Sequence, residues 1–91
     1  MQVKYRKTFE KEISKVRLQS VLEEIGEHIK VVKECKTLLE FTQLPAVTKL
    51  VGHKGYYRIK FGDYRIGVKV VDNVIHFVRF GIRSKIYNIF P

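Results

Sequence analysis

Ninety-one residues, 45% hydrophobic and 12% aromatic, provide material for one modest core, so one domain spanning 1–91 is expected. The 18 Lys and Arg outweigh nine Asp and Glu to give a net charge of +9. That excess suits nucleic acid, acidic protein or anionic membrane, and the membrane option has neither a lipidation motif nor a basic amphipathic helix behind it.

From the N-terminus, Gln2 to Tyr5 reads as a short strand, and Thr8 with Lys11 and Glu12 downstream reads as the start of a helix. Leu18, Val21, Leu22, Ile25, Ile29 and Val32 recur at three- and four-residue steps, which predicts an amphipathic helix over 17–34 with one core-facing stripe, slightly weakened by Gly26. Leu38, Leu39, Phe41 and Leu44 precede Pro45, which blocks a continuing helix, so this stretch is expected to be a linker packed on the core. Strands at 55–61, 64–71 and 74–80 follow, separated by Gly62-Asp63 and Asp72-Asn73, and 83–90 closes the domain as a helical turn or two. The class is therefore α+β: a first strand and two helices packed on an antiparallel meander, with a short C-terminal helix.

Cys35, the single cysteine, can form no internal disulfide and has no Cys or His neighbours at metal-ligand spacing. A reduced, cytoplasmic setting fits, and no cofactor or metal is expected. No stretch approaches the ~20 apolar residues of a membrane span, and the N-terminal residues lack the apolar run of an export signal.

Charge is distributed unevenly. Residues 53–91 hold eight basic against two acidic residues, whereas 1–52 hold ten against seven. Within YRIKFGDYR (57–65), period-two alternation places Arg58, Lys60 and Arg65 on one face and Tyr57, Ile59, Phe61 and Tyr64 on the other. A two-residue loop at Gly62-Asp63 sets Phe61 opposite Tyr64, Lys60 opposite Arg65 and Arg58 opposite Gly67. Like charges placed opposite one another destabilise a sheet, so an anion, a polyphosphate above all, is expected between them. The next strand admits two registers. A tight Asp72-Asn73 turn pairs Val70 with Ile75 and Ile66 with Arg79. A one-residue shift through a bulge instead brings Arg79 beside the cationic face, with His76, Val78 and Phe80 inward, and this is preferred because it keeps the arginine out of the core.

The run KLVGHKGYYRIKFGDYRIGVKV followed by VIHFVRFGIRSKIYNIFP resembles the RelE/ParE superfamily of type II toxin–antitoxin toxins, specifically the RelE-like mRNA interferases. The strand YRIK, the turn GDYR and the terminal R-x-x-x-Y carry the resemblance over 47–91, and the order of elements extends it over nearly the whole chain. It implies a microbial-RNase-like fold that cuts mRNA, commonly on the ribosome, and is held inactive by an acidic cognate antitoxin in a hetero-oligomer. It also implies functional roles for Arg58, Lys60, Arg65, Arg83 and Tyr87. Ile82 stands where many relatives carry histidine, and Gly81 where some carry arginine.

Each position makes chemical sense unaided. Cleaving RNA without a metal requires deprotonating a 2′-hydroxyl, stabilising a pentacoordinate phosphate and protonating the departing 5′-oxygen. Arg65 and Arg83 suit the phosphate clamp and Arg58 the backbone, because guanidinium offers a fork of donors and stays charged. Lys60, crowded by Arg58 and Arg65, is the expected base, while Tyr87 stacks on a base, orients the hydroxyl or caps the sheet. Lys54, Lys69 and Arg79 are further RNA-binding candidates. Two alternatives share the composition: a ParE-like inhibitor of DNA gyrase, and a noncatalytic double-stranded RNA-binding domain, for which Arg83 and Lys85 alone are thin support. The antitoxin is expected to fold around the helices of the first half.

Overall fold

The turns fix the meander. In the computed structural model, which describes every residue from Met1 to Pro91, Asp72 and Asn73 both take positive φ, 48° and 66°. That is the pattern of a type I′ turn, whose twist matches the strands it joins. Gly62 has φ of 54° at the first position of the other two-residue loop, where a side chain would be strained.

The elements run β1 (Val3–Tyr5), α1 (Lys7–Ser14), α2 (Gln19–Glu34), α3 (Leu38–Gln43), β2 (Val47–Lys49), β3 (Tyr56–Phe61), β4 (Tyr64–Val71), β5 (Val74–Ile82) and α4 (Arg83–Ile89). The strands form one sheet in the order β1-β5-β4-β3-β2, with β1 parallel to β5 and the other pairs antiparallel. This is the α+β architecture expected, extended by two elements. One sheet face carries Tyr57, Ile59, Phe61, Ile66, Val68, Ile75, Phe77 and Phe80, and α1–α3 cover it with Phe9, Val21, Ile25, Val32 and Phe41. No helix is long and apolar enough to cross a membrane.

Four local expectations are corrected. Residues 38–45, expected to be a linker, contain α3, whose first turn is closed by Thr37: its hydroxyl accepts from the Glu40 N–H at 3.1 Å while Glu40 accepts from the Lys36 N–H. Pro45 lies beyond the end of that helix and breaks nothing. The short strand β2, paired only with β3, was not anticipated. Thr8 does not cap α1; the N-cap is Arg6, and the Thr8 hydroxyl donates to the Val78 carbonyl at 2.6 Å. Leu18 stands at the N-cap of α2 and is 61% exposed, outside the core stripe.

The third meander strand combines both registers. Next to the turn Val70 faces Ile75 and Val68 faces Phe77; past a bulge at Gly67/Val68, Gly67 faces Arg79 and Ile66 faces Phe80. The bulge admits Phe80 to the core and turns Val78 toward Leu50, Ile86 and Phe90 on the opposite side. His76 was expected inward. It lies between the core residues Ile75 and Phe77 and so points to the face away from α1–α3, where Arg6 Nε donates to its Nδ1 at 3.1 Å.

Beyond the end of β1, α1 covers the edge of β5. Glu12 accepts from the Phe80 N–H at 2.9 Å and holds Arg79 through Nε and Nη2, the shortest contact being 3.0 Å. One carboxylate thus satisfies an edge amide and neutralises a guanidinium, which blunts an edge otherwise open to pairing. On the opposite sheet face α4 docks through Ile86 and Phe90, which with Leu50 form a second small cluster. Its start is tied to the β3–β4 loop by the Arg83 N–H, which donates to the Asp63 carbonyl at 2.7 Å. The Phe90 ring lies over Gly67, where an added Cβ would come within 2.8 Å of three ring carbons.

Candidate functional site

The hairpin pairs Lys60 with Arg65 and Arg58 with Gly67, and β2 sets Thr48 beside Arg58. Above this cationic row α4 places Arg83 and Tyr87 one helical turn apart, hence on one face. The six side chains Thr48, Arg58, Lys60, Arg65, Arg83 and Tyr87 line a cleft of about 300 Å³. Four of them are cations and none is a carboxylate. A larger hollow of about 500 Å³ between α1, β5 and α4 holds the Glu12–Arg79 pair and lies apart from this convergence of charge.

Arg65 is the only charged side chain that is buried, at 6% exposure. Its Nη1 donates to the Gly62 and Tyr64 carbonyls at 2.9 and 2.8 Å, so the turn it follows holds it in place without an acidic partner. Its charge is therefore fixed but not neutralised. The Arg58 guanidinium lies 4.3 Å from the centre of the Tyr87 ring, and that of Arg83 lies 5.5 Å from it. Both sit within cation–π range. Arg58 Nε is buried and has no hydrogen-bond partner, a donor left free beside the cleft.

These cations act on the phenol. Hydrogen bonding from Arg65 holds Tyr87 below the usual tyrosine range; desolvation works against this, and the charges of Arg65, Arg83 and Arg58 reinforce it. A phenol so placed releases its proton more readily than free tyrosine. The cleft thus combines a fixed guanidinium, three further cations and an acidified hydroxyl, a set suited to gripping a phosphodiester and moving a proton beside it.

The five residues from YRIK, GDYR and R-x-x-x-Y thus share one cleft. Thr48 was missed, because its strand is three residues long and only pairing with β3 brings it alongside Arg58. The other candidates lie elsewhere. Arg79 reaches the register position of Gly67 but turns its side chain to Glu12. The Lys69 ammonium sits 4.9 Å from the centre of the Tyr56 ring, further along β4 from Arg65, and Lys54 is exposed in the β2–β3 connection.

Fold and cleft define a small basic α+β protein with a cleft lined by four cations, and comparison with known proteins identifies its class. The family model described as the ParE toxin of the type II toxin–antitoxin system parDE matches residues 3–87. Toxin RelE3 of Methanocaldococcus jannaschii is 37% identical over the full length of both chains. The crystal structure of a RelB–RelE antitoxin–toxin complex from Methanococcus jannaschii matches with a TM-score of 0.75 and 31% identity, covering 97% of this chain and 99% of the other. The isolated Escherichia coli RelE toxin matches with a TM-score of 0.66 and 27% identity, covering 96% and 90%. The chain belongs to the RelE/ParE superfamily of type II toxin–antitoxin toxins.

Proposed function

We propose that this toxin is an endoribonuclease that cuts mRNA, on the ribosome and in the cytoplasm, by in-line attack of a 2′-hydroxyl on the adjacent phosphate. The observation that carries the reading is the carboxylate-free cleft in which Arg58, Lys60, Arg65 and Arg83 surround an acidified Tyr87. In the first step Tyr87, in its deprotonated form, takes the 2′-hydroxyl proton as the 2′-oxygen bonds to phosphorus. Arg65 and Arg83 hold the phosphate oxygens, whose added negative charge in the transition state strengthens those contacts. The bond to the 5′-oxygen then breaks, a 2′,3′-cyclic phosphate forms, and the leaving oxygen takes a proton from the Lys60 ammonium or from water. Tyr87 takes the role of base in place of Lys60 because the three guanidiniums around it favour its deprotonated form. Arg58, whose side chain lines the cleft, positions the backbone.

A cognate acidic antitoxin is the natural inhibitor, by analogy with the RelB–RelE complex of Methanococcus jannaschii. Acidic segments that fold on binding are drawn to a surface of this charge. Incubation with mRNA-loaded ribosomes, alongside a gyrase supercoiling assay, tests the function. The expected result is mRNA cleavage that Arg65→Ala and Lys60→Ala both abolish or strongly reduce. Supercoiling inhibition with intact mRNA would move the protein to the gyrase-poisoning branch, and tight binding of intact RNA would leave a noncatalytic module.

A further inference from the structure

Away from the cleft, the registers align Lys4 with His76, His76 with Lys69 and Lys69 with Tyr56, one residue from each of β1, β5, β4 and β3. All four stand on the sheet face opposite α1–α3, because the neighbouring Ile75, Phe77, Val68 and Tyr57 fill the core on the other. Arg6 joins them through its Nε bond to His76 Nδ1. None of these cations has an acidic partner, since the protein's one ion pair is Arg79–Glu12. Burial, then the charges of Arg6, Lys4 and Lys69, hold the His76 imidazole toward its neutral form. Lys4 and Lys69 thus flank His76 from two strands apart, and unpaired cations gathered on one face gain from an anion laid across them.

We propose that Lys4, Arg6, Lys69 and His76 form a second RNA-backbone site on the same sheet face as the cleft, gripping phosphates a few nucleotides from the scissile one. The inference rests on the RNA reading above. Lys69 follows Arg65 by four residues on β4, a span of ~13 Å at ~3.3 Å per residue. That equals about four nucleotide steps at the ~3.4 Å spacing of a stacked strand. Phe90, over Gly67, lies between the two cationic groups. An acidic protein partner fits less well, because Lys4, Arg6 and Lys69 crowd the row and interface cores are depleted of charge, whereas phosphate contacts need only charge and donors.

The test measures binding in a Tyr87→Phe background, so that RNA survives the assay. Affinities of a tetranucleotide and a dodecanucleotide of mixed sequence are followed from about 50 to 200 mM salt. The substitution pair Lys4→Gln/Lys69→Gln is compared with Lys30→Gln/Lys33→Gln on α2, which removes the same charge from the helical side. For the dodecanucleotide, the row pair should weaken binding about tenfold at low salt and flatten the log–log salt slope by about 1.4, from two contacts at ~0.7 each. Tetranucleotide affinity should stay within about twofold, and the α2 pair should leave the slope unchanged. An unaltered dodecanucleotide slope overturns the proposal, as does an equal loss from the α2 pair, which would reduce the effect to bulk charge. If the row pair leaves both RNAs bound normally but releases an acidic protein partner, the row belongs to a protein interface and the proposal falls. If the Tyr87→Phe protein with its row intact binds neither RNA, the RNA reading itself fails, and this is distinguishable from failure of the row alone.

Discussion

Gly67→Ala tests how α4 is held over the sheet. The new Cβ would lie 2.8 Å from three carbons of the Phe90 ring, against 3.4 Å for the onset of ordinary contact, so the ring must retreat by at least about 0.6 Å. Phe90 is 4% exposed and, with Ile86, supplies the apolar grip of α4. Overpacking of this kind costs about 1–3 kcal/mol, and complete eviction of the ring forfeits burial of similar worth. At roughly 1 kcal/mol per molar, the low end of urea m-values, the unfolding midpoint should fall by about 1–3 M. Tyr87 and Arg83 ride on the same helix, so RNA cleavage should fall about tenfold or more. Phe90→Ala added to Gly67→Ala removes the clash, and the double variant should lose less stability than the two single losses combined. An unchanged urea midpoint together with cleavage within twofold of the unsubstituted protein would refute the assignment of Gly67 as the slot that seats α4.

Other substitutions probe separate parts of the account. Gly26 lies inside α2 with open space where a Cβ would stand, so Gly26→Ala should raise stability by about 1 kcal/mol, read by urea unfolding, and leave cleavage unchanged. Glu12→Ala strips the acceptor from the Phe80 amide and the partner from Arg79, and should cost about 1–3 kcal/mol in the same assay. His76 has its folded-state pKa lowered, so the unfolded chain binds the extra proton first and stability should decline as pH falls below 6.5; His76→Gln should flatten that part of the stability profile.

The hairpin was legible because every local signal agreed. Period-two alternation, a Gly-Asp loop and the apolar row Tyr57, Ile59, Phe61 and Tyr64 leave one register, and that register dictates the Lys60–Arg65 opposition. Arg83 and Tyr87 came from the family resemblance of R-x-x-x-Y, and their spacing of one turn on α4 puts both on one face. What escaped depends on partners distant in sequence. The Glu12 carboxylate that takes Arg79 lies 67 residues away, and nothing near Arg79 announces it. A one-residue shift of the whole of β5 would turn His76 inward, whereas the bulge acts only beyond Gly67 and leaves Ile75 and Phe77 inward, a local irregularity with no signal in the sequence around it. The helix α3 did have a local signal: Thr37 and Glu40 have capping-box spacing, which the proline at 45 overshadowed.

The central claim is that a cationic cleft cuts RNA with Tyr87 as its proton acceptor, and the pH dependence of single-turnover cleavage tests it most directly. With Arg65, Arg83 and Arg58 lowering the phenol pKa, the rate should rise with pH and level off before the usual tyrosine value of 10.0. Tyr87→Phe should remove about 10²–10⁴-fold of the rate and abolish the rising limb, while Arg65→Gln should slow cleavage and move that limb to higher pH. A Tyr87→Phe protein that keeps both the rate and the pH slope of the unsubstituted enzyme would contradict the account.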